Sequence, residues 1–236
     1  MRIGFVFFGI SFGGGSKSEK DIRHCWPGLK QDLIDPFIAK GHTAKIFIST
    51  YPFTDKDLEK EFYDLVKPDA VKFSIFEGSD PFTCKGAALN AFEQGIFNLN
   101  DLDFIILTRL DLHYSKIIAN ENINFDKFNF LYPEGGRGSE FWWDILRFTT
   151  DNFYAWPAHM TWQVKDALLS TYRSLRPDHP DTHPLIHKLI LRIGDNAIHF
   201  VSNNSEPSDV SSFYTLCRAG IPIDSRMHPE VIKKFY

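Results

Sequence analysis

The stretch DFIILTRLDLHY, residues 103–114, decides how this chain is read. Phe104 to Leu107 are four apolar residues in succession, as in a strand buried on both faces of a parallel sheet. Thr108, Arg109, Asp111, His113 and Tyr114 follow at once. If the backbone stays extended, alternation turns Arg109, Asp111 and His113 to one side. Ligands of open parallel sheets bind outside the carboxyl ends of the strands, where this trio stands. An arginine forks onto phosphate, a carboxylate holds a hard divalent cation, and an imidazole two residues on completes part of its shell. The trio therefore suits a metal–diphosphate. A plain ion pair between Arg109 and Asp111 at a loop start is the competing reading. Asp101-Leu102-Asp103 is a literal D-x-D, but it precedes the strand and lies about 17 Å from its other end. It reads as a turn closed by acidic side chains.

The pattern extends outward from this strand as an alternation of strands and helices. Ile3–Phe8 is a continuous apolar run and Ala44–Ser49 a second, with a weaker strand at Ala70–Ile75. A helix is expected from about Asp21 to Lys40, interrupted near Pro27 and Pro36 and ended by Gly41. Thr54 with Asp57 three residues on caps a helix that stops before Pro68, and Cys84–Phe97 reads as another. The second half is less regular. It has strands at Phe128–Tyr132, Asn152–Trp156 and Ala197–Val201, and helices at His159–Ser174 and Pro184–Ile193. The expectation is one α/β domain over residues 1–236, with a mostly parallel sheet covered by helices and an irregular C-terminal half.

Composition narrows the classes. Hydrophobic residues are 43% and charged residues 24% of 236, the balance of an ordinary globular protein. A net charge of −4 gives no basic field for nucleic acid. Cys25, Cys84 and Cys217 are scattered, without a C-x-x-C, as in a reducing compartment. The apolar start MRIGFVFFGISFGGG has no A-x-A-like cleavage site, and no segment nears the ~18 apolar residues of a membrane span. A cytoplasmic location is expected, which leaves the sequon at Asn203–Ser205 without weight. Most of the 23 Phe and 5 Trp should fill the core.

An apolar strand followed by R-x-D and then a histidine or aromatic residue resembles the GT-A glycosyltransferases of large DNA viruses and of bacterial capsule and lipopolysaccharide loci. Asp111-Leu112-His113 is similar to the D-x-H metal motif of polypeptide N-acetylgalactosaminyltransferases. The resemblance covers about the first two-thirds of the chain and implies a GT-A-like, Rossmann-like fold. Residues 1–115 would be the nucleotide-binding half and 116–236 the acceptor half. It further implies Mn²⁺ or Mg²⁺ on Asp111 and His113, the donor diphosphate near Arg109 and Asp111, and the nucleoside near Thr50 and Tyr51 after the second strand. Arg109 stands where many such enzymes have their first aspartate, and an arginine can neutralise part of a diphosphate without a cation.

Other candidates follow from that implication. GISFGGGSKSEK, residues 9–20, matches neither G-x-x-x-x-G-K-[ST] nor a helix-opening G-x-G-x-x-G, and such Gly/Ser runs more often form a mobile loop; Gly9, Ser11 and Lys17 are the candidates there to touch the donor. An inverting transferase needs a carboxylate base beside the acceptor hydroxyl. Glu140, Asp144 and Asp151 are the candidates, with Trp142 and Trp143 available to stack on a sugar. His183 and His187 share a helix face without a third ligand, and His187, His199 and His228 compete as a C-terminal metal ligand. The expected activity is transfer of a sugar from a nucleotide-sugar to a glycan or glycoprotein hydroxyl. The rivals are a sugar-1-phosphate nucleotidyltransferase and a non-catalytic carbohydrate-binding protein.

Overall fold

The computed structural model describes residues 1–9, 11–15, 18–53, 56–74, 83–132, 152–174, 185–203 and 212–216. Its strands are β1 (Arg2–Phe8), β2 (Phe12–Gly15), β3 (Ser18–Asp21), β4 (Thr43–Thr50), β5 (Ala70–Phe73), β6 (Phe104–Arg109), β7 (Leu112–Tyr114), β8 (Phe128–Phe130), β9 (Phe153–Pro157), β10 (Ile198–Phe200) and β11 (Tyr214–Leu216). The α-helices are α1 (Ile22–Gly28), α2 (Asp35–Ala39), α3 (Lys56–Val66), α4 (Thr83–Glu93), α5 (Thr161–Ser174) and α6 (Leu185–Ile193). Seven strands form one sheet in the order β10-β8-β9-β6-β1-β4-β5. The pairs β1–β4, β4–β5, β1–β6 and β8–β10 are parallel, while β9 runs against both β6 and β8.

Alternation along the central strands builds the two covering layers. Ile3, Phe5 and Phe7 face one core with α1, α2 and α3, through Trp26, Phe37 and Phe62. Val6 and Phe8 face the other, with α4, α5 and α6 supplying Leu89, Val164 and Leu189. The result is an α/β fold with a mixed, mostly parallel sheet between helices, an arrangement compatible with a Rossmann-like fold. Among the described residues, most Phe and Trp side chains fill these layers as expected, while Trp162 is exposed. Phe47 stacks on Phe97 at 4.9 Å and Phe128 on Trp156 at 5.7 Å. The buried Trp156 indole donates to Thr161 Oγ1 at 3.1 Å, so its one polar atom is satisfied. Because β6 pairs with β9, the two halves of the chain share one sheet.

The segment from Asp21 to Lys40 keeps helical backbone past both prolines, where an interruption was expected. Leu29–Ile34 widens to a π-helix between Pro27 and Pro36, and Asp35 N–H reaches back five residues to Lys30 O. A wider turn relieves the clash of a proline ring with the carbonyl four residues earlier. Asp21 caps the start by accepting from Arg23 N–H, and Gly41, at φ +84°, ends the run as expected. Thr54, the expected cap of α3, lies outside the described residues. Asp103 is structural: it accepts from Arg2 N–H and the Arg2 guanidinium at 2.7 and 3.0 Å, at the amino end of β6. Among the described residues, no helix is long and apolar enough to cross a membrane.

One close approach ties the helical layer to the strand end. A Cβ on Gly28 would lie 2.8 Å from His113 Nδ1, and that ring is buried in β7. Gly28→Val is therefore expected to destabilise the fold by about 1–3 kcal/mol through overpacking. Urea unfolding with an unchanged midpoint would show that the helix and β7 are not held in this contact.

Candidate functional site

The strand order reverses beside β1. From β1 the chain moves outward to β4 and then β5, and afterwards returns to the opposite side of β1 as β6. The neighbours β1 and β6 thus flank the point where the strand order reverses, and the space outside their carboxyl ends is the usual ligand crevice of open α/β sheets. Phe8 pairs with Arg109 in the register, so Gly9 and Arg109–Asp111 leave the sheet side by side. Gly9 sits at φ +130°, a region a side chain rarely tolerates, and donates its N–H to Ser49 O at 3.1 Å.

Four of the anticipated positions gather at this edge with Gly9. Ser11 and Thr50 are buried and share a hydroxyl–hydroxyl hydrogen bond of 2.8 Å, which ties the loop after β1 to the end of β4. Arg109 and Asp111 meet across the end of β6: Nε donates to Oδ1 and Nη2 to Oδ2, both at 2.7 Å. The Arg109 side chain is 18% exposed and that of Asp111 7%, so this pair is largely withdrawn from water. Tyr51, half-buried, packs on the α4 side of the sheet.

The backbone does not stay extended through residue 113, so the condition for turning residues 109, 111 and 113 to one side is not met. The chain turns at Leu110–Asp111, with Leu110 N–H bonded to Phe8 O, and resumes as β7 in an antiparallel pair with β11. His113 lies opposite Thr215 in that pair, with its ring against Gly28. A turn intervenes because Leu110 finds a place in the core, which costs the strand its straight course.

The described donors do not by themselves fit a Mn²⁺ or Mg²⁺ site. Both Asp111 oxygens are engaged by Arg109, and among the described residues no group of three or more His, Cys, Asp or Glu comes together. Hard divalent cations favour several oxygen ligands. His199 Nε2 bonds Asn122 O at 2.7 Å on β10, three strands away from β6. Glu140, Asp144, Asp151, Lys17, Trp142, Trp143, His183 and His228 lie outside the described residues, and of His187 only the backbone in α6 is described.

Sequence reading missed a buried polar network behind the pair. Asn152 Oδ1 accepts from Arg109 Nη1 at 3.3 Å, and its Nδ2 donates to Tyr214 OH at 2.6 Å. Tyr214 OH also shares a 2.8 Å bond with Tyr132 OH. Thr108 Oγ1 donates to Asn152 O at 2.8 Å, so the 2.7 Å bond between Thr108 and Tyr114 carries the tyrosine's proton. Burial pushes the Tyr114 phenol far above its ordinary range, with the Thr108 bond opposing and Tyr214 adding to the shift, so Tyr114 acts as a donor.

Lys85 was missed too. It is fully buried, its Nζ 5.0 Å from the Phe8 ring centre, 4.8 Å from that of Tyr154, and 3.4 Å from Tyr154 OH. Its signal was present, since Lys85, Ala88, Leu89 and Phe92 recur at the spacing of one helix face. Its amine thus lies against two aromatic rings at the end of β1.

No protein-family model matches the chain, and a search of curated proteins finds no match. The fold and the strand-end chemistry are therefore the grounds for a functional reading.

Removing one partner of a buried ion pair leaves the other charge without compensation. Asp111→Ala is expected to cost about 3–5 kcal/mol, and the double variant Arg109→Leu/Asp111→Leu clearly less than the sum of its single changes. A double-mutant cycle by urea unfolding measures this; additive losses would mean that the pair is not coupled.

Proposed function

We propose that the chain is a GT-A-like glycosyltransferase that binds a nucleotide-sugar in the crevice outside β1 and β6. The observation that carries this reading is the Arg109–Asp111 fork at the point where the strand order reverses. A guanidinium held there presents positive charge towards a phosphate, and the bare backbone of Gly9 allows a close approach beside it. Ser11 and Thr50 hold the two loops that flank the nucleoside, with Tyr51 next to them.

In the proposed reaction, an acceptor hydroxyl of a glycan or protein attacks the anomeric carbon and the bond to the donor diphosphate breaks. A carboxylate takes the hydroxyl proton if the configuration inverts; Glu140, Asp144 and Asp151 are the proposed bases. Negative charge grows on the departing diphosphate, and Arg109 is the described group that offsets it.

The test is a thermal-unfolding panel of UDP-, GDP- and dTDP-sugars, each with and without Mn²⁺, on the wild type, Arg109→Leu and Asp111→Asn. A ligand of the native state at 100 times its Kd stabilises by about 2.7 kcal/mol. One nucleotide class should raise the unfolding temperature of the wild type and lose most of that effect in Arg109→Leu. An absence of shift with every nucleotide-sugar would remove the transferase reading and favour the carbohydrate-binding one.

A further inference from the structure

Asn152 joins three parts of the site at once. Its backbone carbonyl holds Thr108 on β6, its Oδ1 faces Arg109 and its Nδ2 faces Tyr214 on β11. The direction of the amide is dictated by chemistry: a guanidinium has no acceptor, so the oxygen must face Arg109 and the NH₂ must face the phenol. Asn152 is 3% exposed, so a flip would bury mismatched polar atoms.

Tyr214 is fixed in turn from two directions. Its hydroxyl meets Tyr132 at 2.8 Å, and its backbone pairs with Tyr114 in the β7–β11 ladder. Ser115 N–H and Oγ extend that ladder by donating to Phe213 O at 2.8 Å and Ser212 O at 2.9 Å. Since β7 begins directly after Asp111, the contacts close a circuit from Arg109 to Asp111, through β7 and β11 to Tyr214, and through Asn152 back to Arg109. Within it the guanidinium is held by Asp111 on its Nε and Nη2 side and by Asn152 at Nη1.

Resting on the diphosphate reading above, we propose that Asn152, locked by Tyr214, is the positioning residue that orients the Arg109 guanidinium for the donor diphosphate. An arginine side chain is otherwise free to rotate about several bonds, and holding it beforehand removes an ordering cost from binding. The C-terminal segment carrying β11, 62 residues beyond Asn152, thereby becomes part of the phosphate site.

The experiment is calorimetric titration of UDP, GDP and dTDP, and of uridine, guanosine and thymidine, into the wild type, Asn152→Asp and Tyr214→Phe. Asn152→Asp keeps the shape but puts a second carboxylate beside Arg109 and removes the donor to Tyr214; Tyr214→Phe removes the lock together with the hydroxyl's bond to Tyr132. The diphosphate that binds the wild type should weaken by about tenfold in Asn152→Asp and by about threefold or more in Tyr214→Phe, in line with the strength of charge-assisted contacts. The matching nucleoside should keep its affinity in both, which a merely structural role would not produce. Wild-type diphosphate affinity in the variants, or equal loss of diphosphate and nucleoside, overturns the role of Asn152 while leaving the donor reading in place. Failure of the wild type to bind any of the diphosphates overturns both. If Asn152→Asp does not fold, the comparison in Tyr214→Phe decides.

Discussion

Strand β1 is the constraint on which the rest of the structure depends. It pairs in parallel with β4 on one side and β6 on the other, along almost its whole length. Every residue from Ile3 to Phe8 is buried, so both faces and both edges are committed. A strand so enclosed needs apolar side chains in both directions, which is why its sequence shows a continuous run rather than alternation. Gly4 meets the same demand by omission, since a Cβ there would lie 2.7 Å from Leu102. The fixed register then delivers Gly9 next to Ser49 and sets Arg109 beside the end of β1.

The carboxyl edge that results is unusually polar for its depth. Thr108, Asp111, Asn152, Ser11 and Thr50 are all buried there, and Lys85 is buried on the α4 side. Buried polar groups are tolerated when each finds partners, and a partly satisfied network would be worse than an apolar core. Here hydroxyls, one amide and one ion pair answer one another over a short distance. Such an arrangement contributes less to net stability than an equal volume of packed side chains would. What it provides is direction: a guanidinium, a carboxylate and several hydroxyls held in fixed orientations at the carboxyl ends of the central strands.

The turn at Leu110–Asp111 shows how packing overrides a local pattern. Alternation along an extended chain would have turned residues 109, 111 and 113 together. Leu110 instead enters the core, Asp111 folds back onto Arg109, and the chain restarts as β7 under α1. His113 then faces Gly28 and the helix layer. A similar accommodation appears in the helix before β4, where two prolines are absorbed by a π-helical turn instead of a break.

Much of the fold was legible because its signals are local. Apolar runs at Ile3–Phe8 and Phe104–Leu107, a cap at Asp21 and a stop at Gly41 act within a few residues, so the sequence by itself determined the order and kind of most elements. It also showed Arg109 and Asp111 as polar residues directly after a buried strand. The antiparallel insertion of β9, the closure of Arg109 onto Asp111, and the approach of Tyr214 to Asn152 were left to the tertiary structure. These features join residues that no periodicity relates: Tyr214 lies 62 positions from Asn152, and 82 from Tyr132. Only when the sheet has formed and β11 has paired with β7 do these groups come within hydrogen-bonding distance.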